Sequence, residues 1–246
     1  MVIGFVGSGN MARALAIGFG EPALFTDHGS GRAAELAALV GGEAVATNAE
    51  LAERADLVVL AHKPAQLEAV ARELGGTSSV VLSLLGRTTV EQLQAAHPNA
   101  TVVRAMPNTA SAIRQGVTCV CGAELAEVEE LLGRVGAVVR LEERLMDAAT
   151  AVSGVAPAYV ALIAEAWIDA AVAQGIPAAQ AALLVGDSLA GAAALLQSRE
   201  MDTLGVRREV TSPGGMTARG LRVLEQAGLR SAFADAAAAV AGPSST

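Results

Sequence analysis

The apolar run Val2-Ile3-Gly4-Phe5-Val6 breaks directly into Gly7-Ser8-Gly9 and then into a helical pattern opening at Asn10-Met11-Ala12. A buried strand that turns through two glycines into a helix is the start of a β-α-β unit, and the rest of the first half repeats it. Ala23–Thr26, Leu57–Ala61, Val80–Ser83 and Val102–Ala105 are short runs rich in Val and Leu. Runs apolar on successive positions are buried on both faces, as strands of a parallel sheet are. Amphipathic segments lie between them at Arg32–Leu39, Pro64–Leu74 and Thr89–Ala95. A further strand pair is expected at Val117–Cys121 and Ala137–Val139, around a helix Leu125–Val135. The expected fold class is α/β: an N-terminal Rossmann-type domain with a doubly wound, mostly parallel sheet, followed by an all-α domain.

The texture changes near Thr150, which sets expected domains at 1–150 and 151–246. Ala156–Gln174 reads as one helix, with Pro157 in its first turn and Gly175 as its stop. Pro177 restarts a second helix to about Gln197. After a polar stretch, Ser198–Thr211, two more follow near Thr217–Gln226 and Arg230–Val240. Only the tail, Gly242–Thr246, reads as disordered. These Ala-rich helices leave several faces to bury, and a helical layer of this size rarely buries them alone, so a homodimer is expected.

Composition removes several function classes. The net charge is −8, with no Lys/Arg-rich block, and aromatic residues make up 2%. Nucleic-acid binding needs concentrated positive charge and stacking platforms, so neither duplex nor single-stranded partners are expected. The longest uncharged runs, Ala148–Ala164 and Ala170–Gly186, are 17 residues each, short of a membrane span. The N-terminus lacks a basic segment and a cleavage site, so no membrane association and a cytoplasmic location are expected. Cys119 and Cys121 share one face of an expected strand. Two cysteines cannot cage a structural zinc, so they read as small core residues and no metal is expected.

The glycine turn is the first candidate site. Gly7 permits the tight turn, Gly9 lets a pyrophosphate approach the backbone, and Ala12 keeps helix close to strand. Gly7, Ser8, Gly9, Asn10 and Met11 are therefore expected to bind a dinucleotide. Asp27 stands 20 residues beyond Gly7, where an acid accepts a hydrogen bond from a free ribose 2′-hydroxyl. Ser30 and Arg32 follow in the same loop, where a cation holds a 2′-phosphate. The two signals conflict, so NADP and NAD both stay open on this loop. His28 reads equally as a solvated loop residue or a ligand.

Lys63 is the only lysine; the other 16 of 17 basic residues are arginines. Its segment, Ala61-His62-Lys63-Pro64, leaves a strand at the ligand-binding edge of the sheet, which makes Ala61, Lys63 and Pro64 cofactor candidates. A snorkelling surface lysine is the alternative. Asn108, in Arg104-Ala105-Met106-Pro107-Asn108-Thr109, can offer donor and acceptor to a nicotinamide or its ribose, or simply serve a turn. In the second half Ser212-Pro213-Gly214-Gly215-Met216-Thr217 leads into a helix. Backbone N–H groups at such a turn cradle an anion, and Thr217 either presents its hydroxyl to a ligand or caps the helix.

Together these segments resemble the pyrroline-5-carboxylate reductase family. Gly7–Ala12, Lys63-Pro64, Arg104–Thr109, the helix start Ser153–Tyr159, and Ser212–Thr217 match its motifs in order along almost the full chain. The resemblance implies reduction of 1-pyrroline-5-carboxylate to L-proline by NAD(P)H, and a helical domain that dimerises, with dimers often assembled into decamers. It implies that Thr217 hydrogen-bonds the substrate nitrogen, that the Gly214–Thr217 backbone holds its carboxylate, and that Ser212, Met216 and Glu200 line the substrate. It also implies that Asn48 touches the cofactor ribose, and that the partner subunit's Ser-Pro-Gly-Gly segment completes the pocket. The chain departs from the pattern at Leu84-Leu85-Gly86, at Ala110 and at Glu209, and its Met11–Pro22 link is short. Two rivals share the plan. A hydroxyacid reductase generally uses a lysine after the domain junction, which this chain lacks; a non-catalytic dinucleotide sensor has no use for the Gly214–Thr217 turn.

Overall fold

A computed structural model describes residues 1–76 and 80–242; most of the tail expected to be disordered falls outside the described residues. In chain order the first unit runs β1 (Ile3–Val6), α1 (Asn10–Phe19), β2 (Leu24–Thr26), α2 (Arg32–Val40), β3 (Glu43–Ala44), α3 (Asn48–Arg54) and β4 (Leu57–Leu60). It continues with α4 (Leu67–Glu73), β5 (Val80–Ser83), α5 (Val90–Ala96), β6 (Thr101–Met106), β7 (Gly116–Gly122), α6 (Ala126–Gly133), β8 (Gly136–Arg140) and the short α7 (Met146–Ala149). The sheet order is β3-β2-β1-β4-β5-β6-β7-β8. Neighbours are parallel except β6 and β7, which a short connection joins antiparallel. The two-residue β3 carries no apolar pattern and is the one strand the sequence reading did not name.

Period-two geometry divides the central strands between two cores. Phe5, Val59, Leu82 and Val103 pack with Leu15 and Phe19 of α1 and Leu132 of α6. Val6, Val58, Leu60, Val81 and Val102 pack on the opposite face with Leu51 of α3, Val70 of α4 and Leu93 of α5. Phe5 and Phe25 stack across β1 and β2 with ring centroids 5.3 Å apart. Cys119 and Cys121 are free buried thiols packed with Met146, the small core role their spacing suggests.

The compact units are Met1–Pro157 together with the chain end from Val240, and Ala158–Ala239. The second is built from α8 (Ala156–Ala173), α9 (Ala178–Ser198), α10 (Thr203–Glu209), α11 (Met216–Gln226) and α12 (Leu229–Ala241). Helix α10 corrects the reading of Ser198–Thr211 as a plain polar stretch: Asp202 accepts the Gly205 N–H at 2.8 Å and caps a turn whose composition hides it. Among the described residues of this unit only Ala181 and Val185 are buried hydrophobics. Leu162, Trp167, Leu183, Leu184 and Phe233 stand exposed.

The helical stretches Glu143–Ala173 and Ala178–Ser198 are long and apolar enough to cross a membrane by length and composition. The uncharged runs do not show this, because Glu165, Asp169 and Asp187 interrupt the runs without interrupting the helices.

In the first unit, Gly18 of α1 sits against the β6–β7 connection. A Cβ there would lie 2.2 Å from the Ser111 carbonyl oxygen and 2.7 Å from a Val135 methyl. Gly18→Ala should therefore lose about 1–3 kcal/mol of stability by overpacking. Gly133→Ala, on α6 with open space around it, should be neutral or gain up to about 1 kcal/mol. Urea titration of both variants checks this; equal midpoints would mean the Gly18 contact yields freely.

Candidate active site

The strand order reverses between β1 and β4, and ligands of open α/β sheets bind outside the carboxyl ends of strands at such a reversal. Gly7 turns the chain there with φ +95°, and its N–H donates to the Thr26 carbonyl at 3.1 Å. A Cβ on Gly7 would lie 2.8 Å from both the Ala61 carbonyl carbon and the His62 nitrogen. Only glycine fits. Ser8 is buried and donates its hydroxyl to the same Thr26 carbonyl at 3.1 Å. Gly9 is the N-cap of α1 and brings no side-chain cap, and a Cβ on it would meet nothing within 4 Å. The first-turn N–H groups at Asn10 and Met11 thus face open space from the positive end of a helix, the arrangement that holds a phosphate group.

At the end of β2 lies a cleft of about 390 Å³, bounded by Thr26, Asp27, His28, Thr47, Asn48 and Glu73. Asp27 is engaged within its own loop. Its carboxylate accepts the Ala33 N–H at 2.9 Å, the Ser30 hydroxyl at 2.8 Å and the Gly29 N–H at 2.7 Å. These donors, Ala33 foremost, hold its carboxyl below the usual range. Ser30 therefore serves Asp27, while Arg32 is exposed at the start of α2. Asn48, the first residue of α3, is buried and accepts from the Thr26 hydroxyl at 2.6 Å. Ala61 donates its N–H to Val6. Lys63 is exposed; its N–H donates to the Gln66 side chain at 3.2 Å, and Pro64 opens the turn between them. His28 Nε2 lies 3.1 Å from the Gln66 amide nitrogen, a rim contact.

Asn108 lies away from these loops. It is buried; its Nδ2 donates to the Ser153 carbonyl at 3.1 Å and its Oδ1 accepts the Val117 N–H at 3.4 Å. Both ends of the amide are thus anchored inside the protein, with a second N–H and a second lone pair left over, the same arrangement as at Asn48. Arg104 belongs to the same motif. Its guanidinium is buried and ion-paired to Glu143 at 3.4 Å and Asp147 at 3.2 Å. A charged residue inside an apolar strand run was the signal, since a buried charge needs partners.

The second unit holds the other candidates. Gly214 turns with φ +69°, and Gly215 donates its N–H to the Ser212 carbonyl at 3.0 Å. Gly215 is the N-cap of α11, which starts at Met216. Thr217 is thus the second helical residue, exposed, and its hydroxyl does not cap the helix; the capping alternative fails on geometry. Glu200 and Met201 have φ of +51° and +62°, a left-handed pair that bulky side chains seldom adopt. Glu200 lies on a separate cleft of about 460 Å³ with Arg199 and Asp202. Glu209 is ion-paired to Arg199 at 3.3 Å.

The sheet order and the glycine turn define a Rossmann-type nucleotide-binding unit joined to a second, helical unit. Residues 143–245 match the family described as pyrroline-5-carboxylate reductase dimerisation, and residues 2–87 match NADP oxidoreductase coenzyme F420-dependent. The pyrroline-5-carboxylate reductase of Corynebacterium melassecola is 33% identical, covering 97% of this chain and 96% of its own. A pyrroline-5-carboxylate reductase structure from Coxiella burnetii superposes with TM-score 0.85 at 32% identity, covering 97% of this chain and 95% of its own. The Plasmodium falciparum pyrroline carboxylate reductase with NADP bound has TM-score 0.87 at 26% identity, covering 98% and 95%. This chain belongs to the pyrroline-5-carboxylate reductase family.

Two histidines of the first unit carry a pH consequence. His97 is 1% exposed, and neither ring nitrogen has a partner among the described residues. Burial, then the charge of His62, pushes its pKa below the ordinary value. Burial lowers His62 likewise. The unfolded chain takes up protons that the folded one refuses, so stability is full above about pH 6.5 and falls as pH drops below it. The slope approaches about 1.4 kcal/mol per pH unit for each histidine. His97→Leu should flatten urea midpoints measured from about pH 5 to 7; an unchanged slope would assign the loss to other groups.

Proposed function

We propose that the protein reduces 1-pyrroline-5-carboxylate to L-proline with NADPH, the last step of proline synthesis. The imine carbon gains a hydride, the ring nitrogen gains a proton, and NADP leaves oxidised. The observation that carries the reading is the uncapped glycine turn ahead of α11. Its open N–H groups at the positive end of a helix suit a small carboxylate, and a protein that only sensed dinucleotides would have no need of it.

The first unit's part is to hold the cofactor, which supplies the hydride when bound. The open helix start at Gly9 fits a pyrophosphate. Gly7, Ser8, Gly9, Asn10 and Met11 would hold it, with Ala61, Lys63 and Pro64 beside it and Asn48 on the ribose. Asp27 is occupied by three internal donors, which leaves the cation of Arg32 to favour a 2′-phosphate, with Ser30 setting the loop. NADH remains the competing donor. In the second unit Gly214, Met216 and Thr217 would offer N–H groups to the substrate carboxylate around Gly215, whose own N–H is held by Ser212, with Glu200, on its own cleft, a further substrate residue. The Thr217 hydroxyl hydrogen-bonds the ring nitrogen and orients it; as a weak acid it relays a proton from water rather than supplying one.

Incubation with 1-pyrroline-5-carboxylate should consume NADPH and yield proline, with a higher specificity constant than for NADH. A tenfold preference for NADH, about 1.4 kcal/mol, would give the adenosine end to Asp27. Absence of turnover with either would favour a dinucleotide sensor. In the same assay Thr217→Ala should lose about ten- to a thousandfold in kcat/KM, with Thr217→Ser recovering much of it and the melting temperature kept. Near-normal turnover in the alanine variant removes Thr217 from the mechanism.

The dimerisation match supports an oligomer. We take the unit to be a homodimer in which exposed apolar helix faces meet a second copy, with decamers as a further assembly. Each pocket is completed by the partner subunit's Ser-Pro-Gly-Gly segment. An acidic chain whose apolar helices are satisfied by a partner needs no membrane and suits the cytoplasm. Trp167, half exposed in the single chain, is the sole tryptophan and reports the contact. Light scattering should give at least a dimer, with Trp167 emission shifting to the red only on dissociation. A compact, active monomer at micromolar concentration would overturn this.

A further inference from the structure

We propose that Glu73 is a positioning residue of the cofactor half: it fixes which way the Asn48 carboxamide faces in the cleft at the end of β2. The proposal rests on the reading of Asn48 as a cofactor residue. A carboxamide turned by 180° keeps its shape but exchanges donor for acceptor, so its usefulness to a ligand depends on what breaks that symmetry. On one side Asn48 Oδ1 meets the Thr26 hydroxyl at 2.6 Å. A hydroxyl both donates and accepts, so Thr26 tolerates either orientation. On the other side Asn48 Nδ2 donates to Glu73 Oε2 at 2.6 Å. An ionised carboxylate only accepts, so Glu73 admits the amine end alone.

The orientation then propagates. With Nδ2 turned to Glu73, Oδ1 faces Thr26, and the Thr26 hydroxyl must donate. The backbone carbonyl of Thr26 holds Gly7 and Ser8 of the glycine turn. Asn48 keeps a second N–H and a second lone pair for a hydroxyl-bearing ligand, and all three side chains line the same cleft. Glu73 ends α4 and is exposed. Among the described residues no other hydrogen bond engages its carboxylate. An exposed helix-end side chain with one partner is a small contribution to folding but a direct one to the amide it faces.

Calorimetric titration with NADPH tests this on the full-length wild type, Glu73→Ala, Glu73→Gln, Asn48→Ala and the Asn48→Ala/Glu73→Ala pair. Glu73→Ala should raise Kd about tenfold, with KM rising in parallel and kcat at saturation kept. Glu73→Gln should fall between, because its amide accepts in one orientation and donates in the other. With Asn48 already alanine, losing Glu73 should change Kd by less than about twofold, the non-additivity expected of residues acting through one contact. If Asn48→Ala weakens binding and Glu73→Ala does not, the positioning role is wrong and the cofactor site stands. Additive losses in the double variant would also overturn it. Unchanged binding in Asn48→Ala would overturn the reading of Asn48, and the proposal with it.

Discussion

The Thr26 carbonyl organises the crevice. It accepts the Gly7 N–H and the Ser8 hydroxyl, each at 3.1 Å, and so ties the loop after β1 to the end of β2. That tie draws the chain so close to Ala61 and His62 that no side chain fits at Gly7. The same path delivers Gly9 to the start of α1 with its N–H groups facing outward. The Thr26 side chain meanwhile reaches Asn48 at the start of α3. One residue at a strand end thereby sets a turn with its backbone and a second helix start with its side chain. Because successive strand residues face opposite ways, a one-residue shift in β2 would break both.

Several of the first unit's buried polar groups are engaged inside the protein. Arg104 is neutralised by Glu143 and Asp147, and Glu143 also accepts the Val90 N–H at 2.6 Å. One guanidinium thus links β6, the start of α5 and the segment ahead of α8. Asn108 bridges β7 to the turn of Ser153. Breaking a buried charge pair costs far more than its net contribution to folding, because the remaining charge is left without a partner. These residues are constrained for architecture while lying inside motifs that also carry chemistry.

That overlap explains what was legible in the sequence. The strands other than β3 and most helices were readable because each has an apolar period and a stop, and the Gly7 turn because a strand, two glycines and a helix leave little choice. Strand β3 has two residues, and α10 is specified by a cap from Asp202 rather than by an apolar stripe; neither has a periodicity to find. Asn108 was legible as a polar residue at a strand end, but its partners Ser153 and Val117 are 45 and 9 residues away. Glu73 was invisible for the same reason. It meets Asn48 across 25 residues, and a glutamate ending a short amphipathic helix otherwise reads as a solvated charge. Side chains that act on other side chains leave no local pattern.

In the helical unit composition points in two directions. By hydropathy and length α9 and the stretch leading through α8 would pass for membrane spans. A spanning helix meets lipid on most of its surface, and its polar groups are expensive there. Here Glu165, Asp169 and Asp187 lie within the apolar stretches, and alanine and glycine recur between the larger side chains. Small residues let helix backbones approach closely, which suits packing against protein more than against acyl chains, although membrane bundles use it too. The same residues match a dimerisation family. An apolar surface this large on a single chain needs a partner, and the dimerisation match supports an oligomer.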